Sequence, residues 1–146
     1  MEINFKYVGD PSLAYTPHHA TEGASGCDLR NATSNDIWIP ARGASTIPTG
    51  ICVEIPEGYE GQLRPRSGIA VKKQLILLPS VGSLDSDYRG EIKATYYNPN
   101  NVPMLIEAGE RIAQIIIAPY KKCSYNLTDK LTETLRGNGG YGSTGK

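Results

Sequence analysis

Proline and glycine punctuate this chain too often for it to carry long helices. Its 146 residues include 16 glycines and 10 prolines. Turn-forming clusters fall at Pro40–Gly43, Pro48–Gly50, Pro56–Gly58, Asn98–Asn101 and Ala108–Gly109. Proline inside a helix removes a backbone donor and clashes with the preceding turn, and glycine weakens the helix entropically. The segments between these breaks are short and apolar or alternating. They predict strands at Ile3–Val8, Ile37–Ile39, Ile51–Ile55, Gln62–Arg64, Leu75–Leu78, Glu91–Tyr97, Met104–Ile106, Ile112–Ile117 and Cys123–Asn126. In Ile51–Ile55, the residues Ile51, Val53 and Ile55 fall on one face and Cys52 and Glu54 on the other, as a half-buried strand requires. One helical turn is expected after Pro65, over Ser67–Lys73. The pattern is that of a single all-β domain, and leaves Greek key, jelly roll and up-and-down barrel open.

Charge and composition exclude several classes. Fifteen basic and fifteen acidic residues leave no net charge, which argues against non-specific binding to nucleic acid or to an anionic membrane. The longest apolar runs, such as Ile115–Ala118, are strand-sized, so no membrane span is expected. Glu2, Lys6 and Asp10 interrupt any secretory apolar core. Cys27, Cys52 and Cys123 are odd in number and widely spaced, which suits a reducing compartment better than a disulfide framework. A soluble cytoplasmic protein is expected, or a nuclear one if the source is eukaryotic or viral.

Five segments carry chemistry. The C-terminal run from Arg136 to Lys146 is dominated by glycine. Its Gly140-x4-Gly145-Lys146 spacing resembles a phosphate-binding P-loop, but no strand leads into it and no helix follows, so that match is rejected. Closely spaced glycines still let backbone N–H groups converge on phosphate oxygens. Arg136 offers a bidentate fork, and Tyr141 offers a face on which a base can stack. Pro65-Arg66-Ser67-Gly68-Ile69-Ala70 gathers a guanidinium, a hydroxyl and free N–H groups at a turn, a candidate anion site. Gly82–Gly90 sets Asp85, Asp87, Tyr88 and Arg89 between glycines, and could present a carboxylate as a general base toward water. Ala24–Leu29 holds a lone Asp28 among small residues. In Gly109–Gln114 the amide of Gln114 interrupts an apolar strand, so it must be satisfied in the core or aimed at a ligand.

Taken together and in this order, the five segments resemble the five motifs of the trimeric dUTPase family. Ala24–Leu29 matches Ala-x-Gly-Tyr-Asp-Leu with Cys27 at the aromatic position. Pro65–Ala70 matches Pro-Arg-Ser-Gly-Leu-Ala with Ile69 for Leu. Gly82–Gly90 matches Gly-x-Ile-Asp-x-x-Tyr-x-Gly with Leu84 for Ile. Gly109–Gln114 matches Gly-x-Arg-x-Ala-Gln. Arg136–Gly145 matches Arg-Gly-x-x-Gly-Phe-Gly-Ser-Thr-Gly with Tyr141 for Phe. The matches span residues 24–145. Pro79 stands where the family often has Asn. The related dCTP deaminases lack the glycine-rich closing tail.

The resemblance implies a jelly-roll-like, distorted β-barrel of the β-clip kind over residues 1–135, with a flexible arm at 136–146 that closes over the site. It implies hydrolysis of dUTP to dUMP and diphosphate with Mg²⁺, which limits uracil in DNA and supplies dUMP for thymidylate synthesis. Asp85 would be the catalytic acid that deprotonates the attacking water. Arg66, Ser67, Gly68 and Gln114 would bind the phosphate chain, and Asp28 would reach the metal through water. Leu84 would border the uracil and Tyr88 would lie under the deoxyribose. Arg136, Tyr141, Gly142, Ser143 and Thr144 would close over the nucleotide. A homotrimer with shared active sites is implied, with no direct contact to nucleic acid or membrane.

Overall fold

The computed structural model describes residues 1–140. Their strands are β1 (Asn4–Tyr7), β2 (Cys27–Arg30), β3 (Ile37–Ile39), β4 (Ala44–Pro48), β5 (Ile51–Glu54), β6 (Tyr59–Pro65), β7 (Ile76–Leu78), β8 (Gly82–Leu84), β9 (Lys93–Tyr97), β10 (Met104–Ile106) and β11 (Arg111–Pro119). They form four small antiparallel sheets, ordered β1-β5, β10-β3, β2-β11-β6-β8 and β4-β9-β7. The sheets wrap one core in a jelly-roll-like arrangement without closing into a barrel. Every sheet contributes to that core: Ile51 and Val53 from β5, Ile39 from β3, Leu29, Leu63 and Ile112 from the four-stranded sheet, and Ile47, Leu77 and Tyr96 from the three-stranded one.

Most of the predicted strands appear within a few residues of their expected ends, and β3 and β10 agree residue for residue. Ile51, Val53 and Ile55 are buried while Glu54 is exposed, as the alternation requires. The helical turn after Pro65 is a π-helical turn over Gly68–Lys72, fixed to the core by Ile69. A 3-10 turn at Pro11–Leu13 begins at Asp10, whose carboxylate accepts the Ser12 N–H at 2.9 Å.

Three strands are additions to the sequence reading. β2 is half charged, β4 opens with Ala, Ser and Thr and ends in Pro48, and β8 is Gly-Ser-Leu. Their own residues scarcely favour extended structure, and the neighbouring strands impose it. The strand expected at Cys123–Asn126 is absent. Among the described residues the last strand ends at Pro119, and 120–140 run on almost wholly exposed, paired with no strand.

Two polar side chains at the centre of the core donate to backbone carbonyls, whereas the buried Tyr7 hydroxyl has no partner among the described residues. Asn98 is fully buried and donates to the carbonyls of Ile39 and Val102, at 3.1 and 2.9 Å. Tyr96, also fully buried, donates to the carbonyl of Ile112 at 2.7 Å, and its burial pushes the phenol pKa well above the ordinary range. Ile112 lies at an irregular point of β11 that matters for the site below. Replacing Tyr96 by Phe strands that carbonyl, so Tyr96→Phe should destabilise the fold by about 1–3 kcal/mol in denaturant titration. An unchanged midpoint would show that the bond contributes nothing.

Candidate active site

The outer face of the four-stranded sheet is the most highly charged feature of this otherwise neutral chain. Across three strands, Asp28 on β2 is paired with Gln114 on β11, and Gln114 with Arg64 on β6. Strand alternation puts Arg30 on the same face as Asp28. Arg111 joins them through an irregularity in β11. Its register with β2 shifts between Arg111 and Ala113, so that Ile112 and Ala113 are both buried in succession. In a regular strand, residues three apart point to opposite faces. The extra residue of the bulge returns Arg111 to the side of Gln114, a common device beside functional sites.

Asp28 sits at the centre of this cluster. One carboxylate oxygen meets Arg66 Nε at 2.9 Å and the other meets Arg111 Nη1 at 3.1 Å, with the Asp28 side chain only 12% exposed. Arg66 follows the end of β6, and its carbonyl accepts the Ala70 N–H at 3.0 Å, closing the turn that also presents Ser67 and Gly68 to solvent. Among the described residues the two Nη groups of Arg66 have no protein partner. Gln114 Nε2 donates to the Pro65 carbonyl at 3.2 Å, tying β11 to this turn. At this end of the face four guanidinium groups therefore gather around the one carboxylate of Asp28, while Glu60 stands further along β6. That surplus of positive charge, presented as forks, suits a polyanion such as a phosphate chain.

Two contributors escaped the sequence reading. Arg111 lies within the Gly109–Gln114 segment but was not singled out, and only the bulge reveals that it shares a face with Gln114. Gly26 is the other. A Cβ placed there would lie 2.5 Å from Gln114 Oε1 and 3.2 Å from its Cδ. The absent side chain at position 26 leaves the space that the Gln114 amide occupies.

The predicted acid lies elsewhere on the same sheet. β8 pairs with β6 so that Leu84 is opposite Gly61, and Asp85 begins the turn that follows. In that turn the Asp85 carbonyl accepts the Tyr88 N–H at 3.1 Å, and the Tyr88 hydroxyl donates to the Glu91 carbonyl at 3.0 Å. Asp85 is exposed and faces a hollow of about 970 Å³, whose walls include Glu54, Glu57, Glu60, Asp87, Arg89 and Lys122. None of Asp28, Arg66, Ser67 and Gln114 lines it. The five steps along β6 from Gly61 to Arg66, at ~3.3 Å each, separate the two groups by about 16 Å. Within one chain, then, the structure brings together Asp28, Arg66 and Gln114, and separately Leu84, Asp85 and Tyr88. Arg136 bonds within its own turn, Nε to the Gly139 carbonyl at 2.9 Å. Tyr141, Gly142, Ser143 and Thr144 lie outside the described residues.

The donor set also limits how a metal could be held. Among the described residues no group of three Asp, Glu, His or Cys side chains converges on a cation position. Both oxygens of Asp28 are engaged by arginines. The residues fit a Mg²⁺ ion brought in by the ligand's phosphates and its own waters, and they do not form a protein cage.

The all-β fold carries an arginine-rich face suited to a polyanion and a separate carboxylate turn, and comparison with known proteins says which family builds such a surface. The family model described as dUTPase matches residues 13–145. The chain is 48% identical over 145 residues to the deoxyuridine 5'-triphosphate nucleotidohydrolase of Rickettsia prowazekii, covering 99% of this chain and 97% of that one. Its fold superposes on the dUTPase of Staphylococcus bacteriophage 80alpha, solved with dUpNHpp, with a TM-score of 0.86 at 24% identity over 99% of both chains. It also superposes on a mutant dUTPase from phage phi11 of S. aureus, described with a structural Mg(II) ion (TM-score 0.79, 20% identity, 89% of this chain and 98% of that one). The chain belongs to the dUTPase family.

The geometry around Gly26 makes a specific prediction. In Gly26→Ala the new methyl group displaces the Gln114 amide and presses on Gln114 Cβ, 3.3 Å away, which asks a few tenths of an ångström of the two chain segments. The variant should melt within a few degrees of the parent, since about 1 kcal/mol moves Tm by only ~2–8 °C. Its affinity for a polyphosphate should fall about tenfold, the equivalent of one hydrogen bond to a charged group. Unchanged affinity would remove Gln114 from the binding face.

Proposed function

We propose that this protein hydrolyses dUTP to dUMP and diphosphate, and that each active site is assembled from more than one copy of the chain in a homotrimer. The observation that carries the reading is the division of one sheet into two incomplete halves. Arg66 and Gln114 flank Asp28 at one end of β6, and Asp85 with Tyr88 stands at the other. The first half binds a phosphate chain but has no free carboxylate to act as base. The second has carboxylates but few cations. Each supplies what the other lacks, and a neighbouring copy brings them together.

In that assembly Arg66, Ser67, Gly68 and Gln114 hold the phosphates in line for displacement. Asp85 orients a water molecule and takes its proton as the water oxygen bonds to the α-phosphorus. The bond from that phosphorus to the bridging oxygen breaks, and diphosphate leaves. Positioning and charge stabilisation lower the barrier. Mg²⁺, when bound with the triphosphate, neutralises charge on the phosphate oxygens, and Asp28 would face it through water. Tyr88 is held by its bond to the Glu91 carbonyl and lies under the deoxyribose, leaving no room for a 2′-hydroxyl. Leu84 and the backbone beside it border the uracil. Residues 1–135 form the catalytic domain. The arm from 136 onward carries Arg136, Tyr141, Gly142, Ser143 and Thr144 over a bound nucleotide.

Among the described residues no helix is long and apolar enough to cross a membrane, and we place the enzyme in the cytoplasm with no direct contact to nucleic acid. The reaction removes a uracil precursor from DNA synthesis and supplies dUMP for thymidylate.

Diphosphate release measured on dUTP, dTTP, dCTP and UTP with Mg²⁺ tests the activity, with turnover expected for dUTP alone. Equal turnover of all four, or none of dUTP, contradicts it. Asp85→Asn should lower kcat by about 10²–10⁴-fold, the range for loss of a general base, while dUpNHpp binding stays close to that of the parent. A loss confined to binding would give Asp85 a different task.

A further inference from the structure

We infer that Arg111 is a positioning residue for polyphosphate binding: it acts through Asp28, keeping that carboxylate paired when Arg66 turns to the ligand. The inference rests on the reading of this face as the phosphate half of a dUTP site, and gives a task to Arg111, which the catalytic steps above do not use.

The Asp28 carboxylate is largely removed from water and divides its two oxygens between two guanidinium groups, Arg66 on one side and Arg111 on the other. A single partner would satisfy the charge of one carboxylate. Arg66 engages Asp28 through Nε alone, which leaves its Nη edge turned to solvent. A phosphate chain that draws Arg66 toward itself competes directly with Asp28 for that guanidinium. If Arg66 were the only partner, the competition would leave a poorly hydrated carboxylate unpaired, and a stranded charge of that kind is strongly unfavourable. Arg111 removes the conflict. Its bond to the other oxygen does not depend on where Arg66 points, so Asp28 stays neutralised and aimed while Arg66 is released.

Backbone geometry supports this assignment. Arg111 reaches Asp28 only because the bulge at Ile112 and Ala113 brings it to the outer face. The Ile112 carbonyl at that bulge is held by the buried Tyr96 hydroxyl. A core side chain thus fixes the position from which Arg111 acts. Arg111 is itself 44% exposed, so its replacement removes a charge without opening the core.

Binding of dUpNHpp with Mg²⁺, measured by calorimetry, separates action through Asp28 from direct contact with phosphate. Arg111→Gln should weaken binding about tenfold in the parent, a 1.4 kcal/mol effect, and Arg111→Lys should recover part of the loss. In an Asp28→Asn background, where no carboxylate needs a partner, Arg111→Gln should change affinity by less than about twofold. Binding of dUMP, which has no phosphate chain to compete for Arg66, should not respond to Arg111→Gln in either background. An equal loss in both backgrounds would overturn the inference by making Arg111 a direct phosphate ligand, and so would no loss in the parent. Failure of the parent to turn over dUTP is a separate outcome that defeats the proposed activity, since Arg111 is then being tested on a ligand the protein does not use.

Discussion

Strand β6 fixes the distance that the rest of the design must accommodate. It is hydrogen-bonded on both sides, to β11 on one edge and β8 on the other, and functional groups stand beyond each of its ends. Its outer side chains pass from acid to base along its length. Gln62 Nε2 donates to Glu60 at 2.8 Å, Arg64 donates to Gln62, and Arg66 follows at the far end. A hydrogen-bonded strand cannot shorten, so the carboxylate turn at Asp85 and the arginine cluster at Asp28 remain apart in one chain. The separation explains why each end is chemically incomplete within one chain, and it is the ground on which the shared site is proposed.

The neutral net charge conceals this arrangement. Fifteen positive and fifteen negative residues cancel over the whole molecule, yet some of them gather into two local groups of opposite sign. Arg30, Arg64, Arg66 and Arg111 gather around Asp28, while Glu54, Glu57, Glu60, Asp85 and Asp87 gather about the hollow at the other end. Long-range steering of a polyanion is weak when the total is zero, and capture depends on local, directional contacts. The same segregation gives opposite patches on one molecule, which is the complementarity that association of identical copies can use.

Much of this was legible in the sequence because it is local. The alternation of Ile51, Val53 and Ile55, the turn clusters, and the five ordered segments each depend on residues a few positions apart. The order and spacing of those segments carried the family and the individual residues Asp28, Arg66, Asp85 and Gln114. What could not be read depends on pairing between distant strands. The strand character of Cys27–Arg30 and Gly82–Leu84 comes from β11 and β6, whose edges they complete. Arg111 reaches the outer face only through the bulge, which no local pattern announces. Gly26 leaves room for Gln114, 88 positions away in the chain, which its own neighbours in sequence do not reveal. The strand expected at Cys123–Asn126 shows the converse: suitable residues form no strand where the chain stays exposed and unpaired.

If one active site takes its phosphate half and its acid half from different copies, two inactive variants should complement each other. Arg66→Ala and Asp85→Asn can be co-expressed with different affinity tags, and the assemblies that carry both tags isolated. A closed ring of three that mixes the two variants contains one junction at which an intact Arg66 meets an intact Asp85 from its neighbour. About a third of the parent's dUTP turnover should then return, since a site works only when both groups are held in position. Mixed assemblies no more active than either variant alone would place both halves in one chain and contradict the shared site.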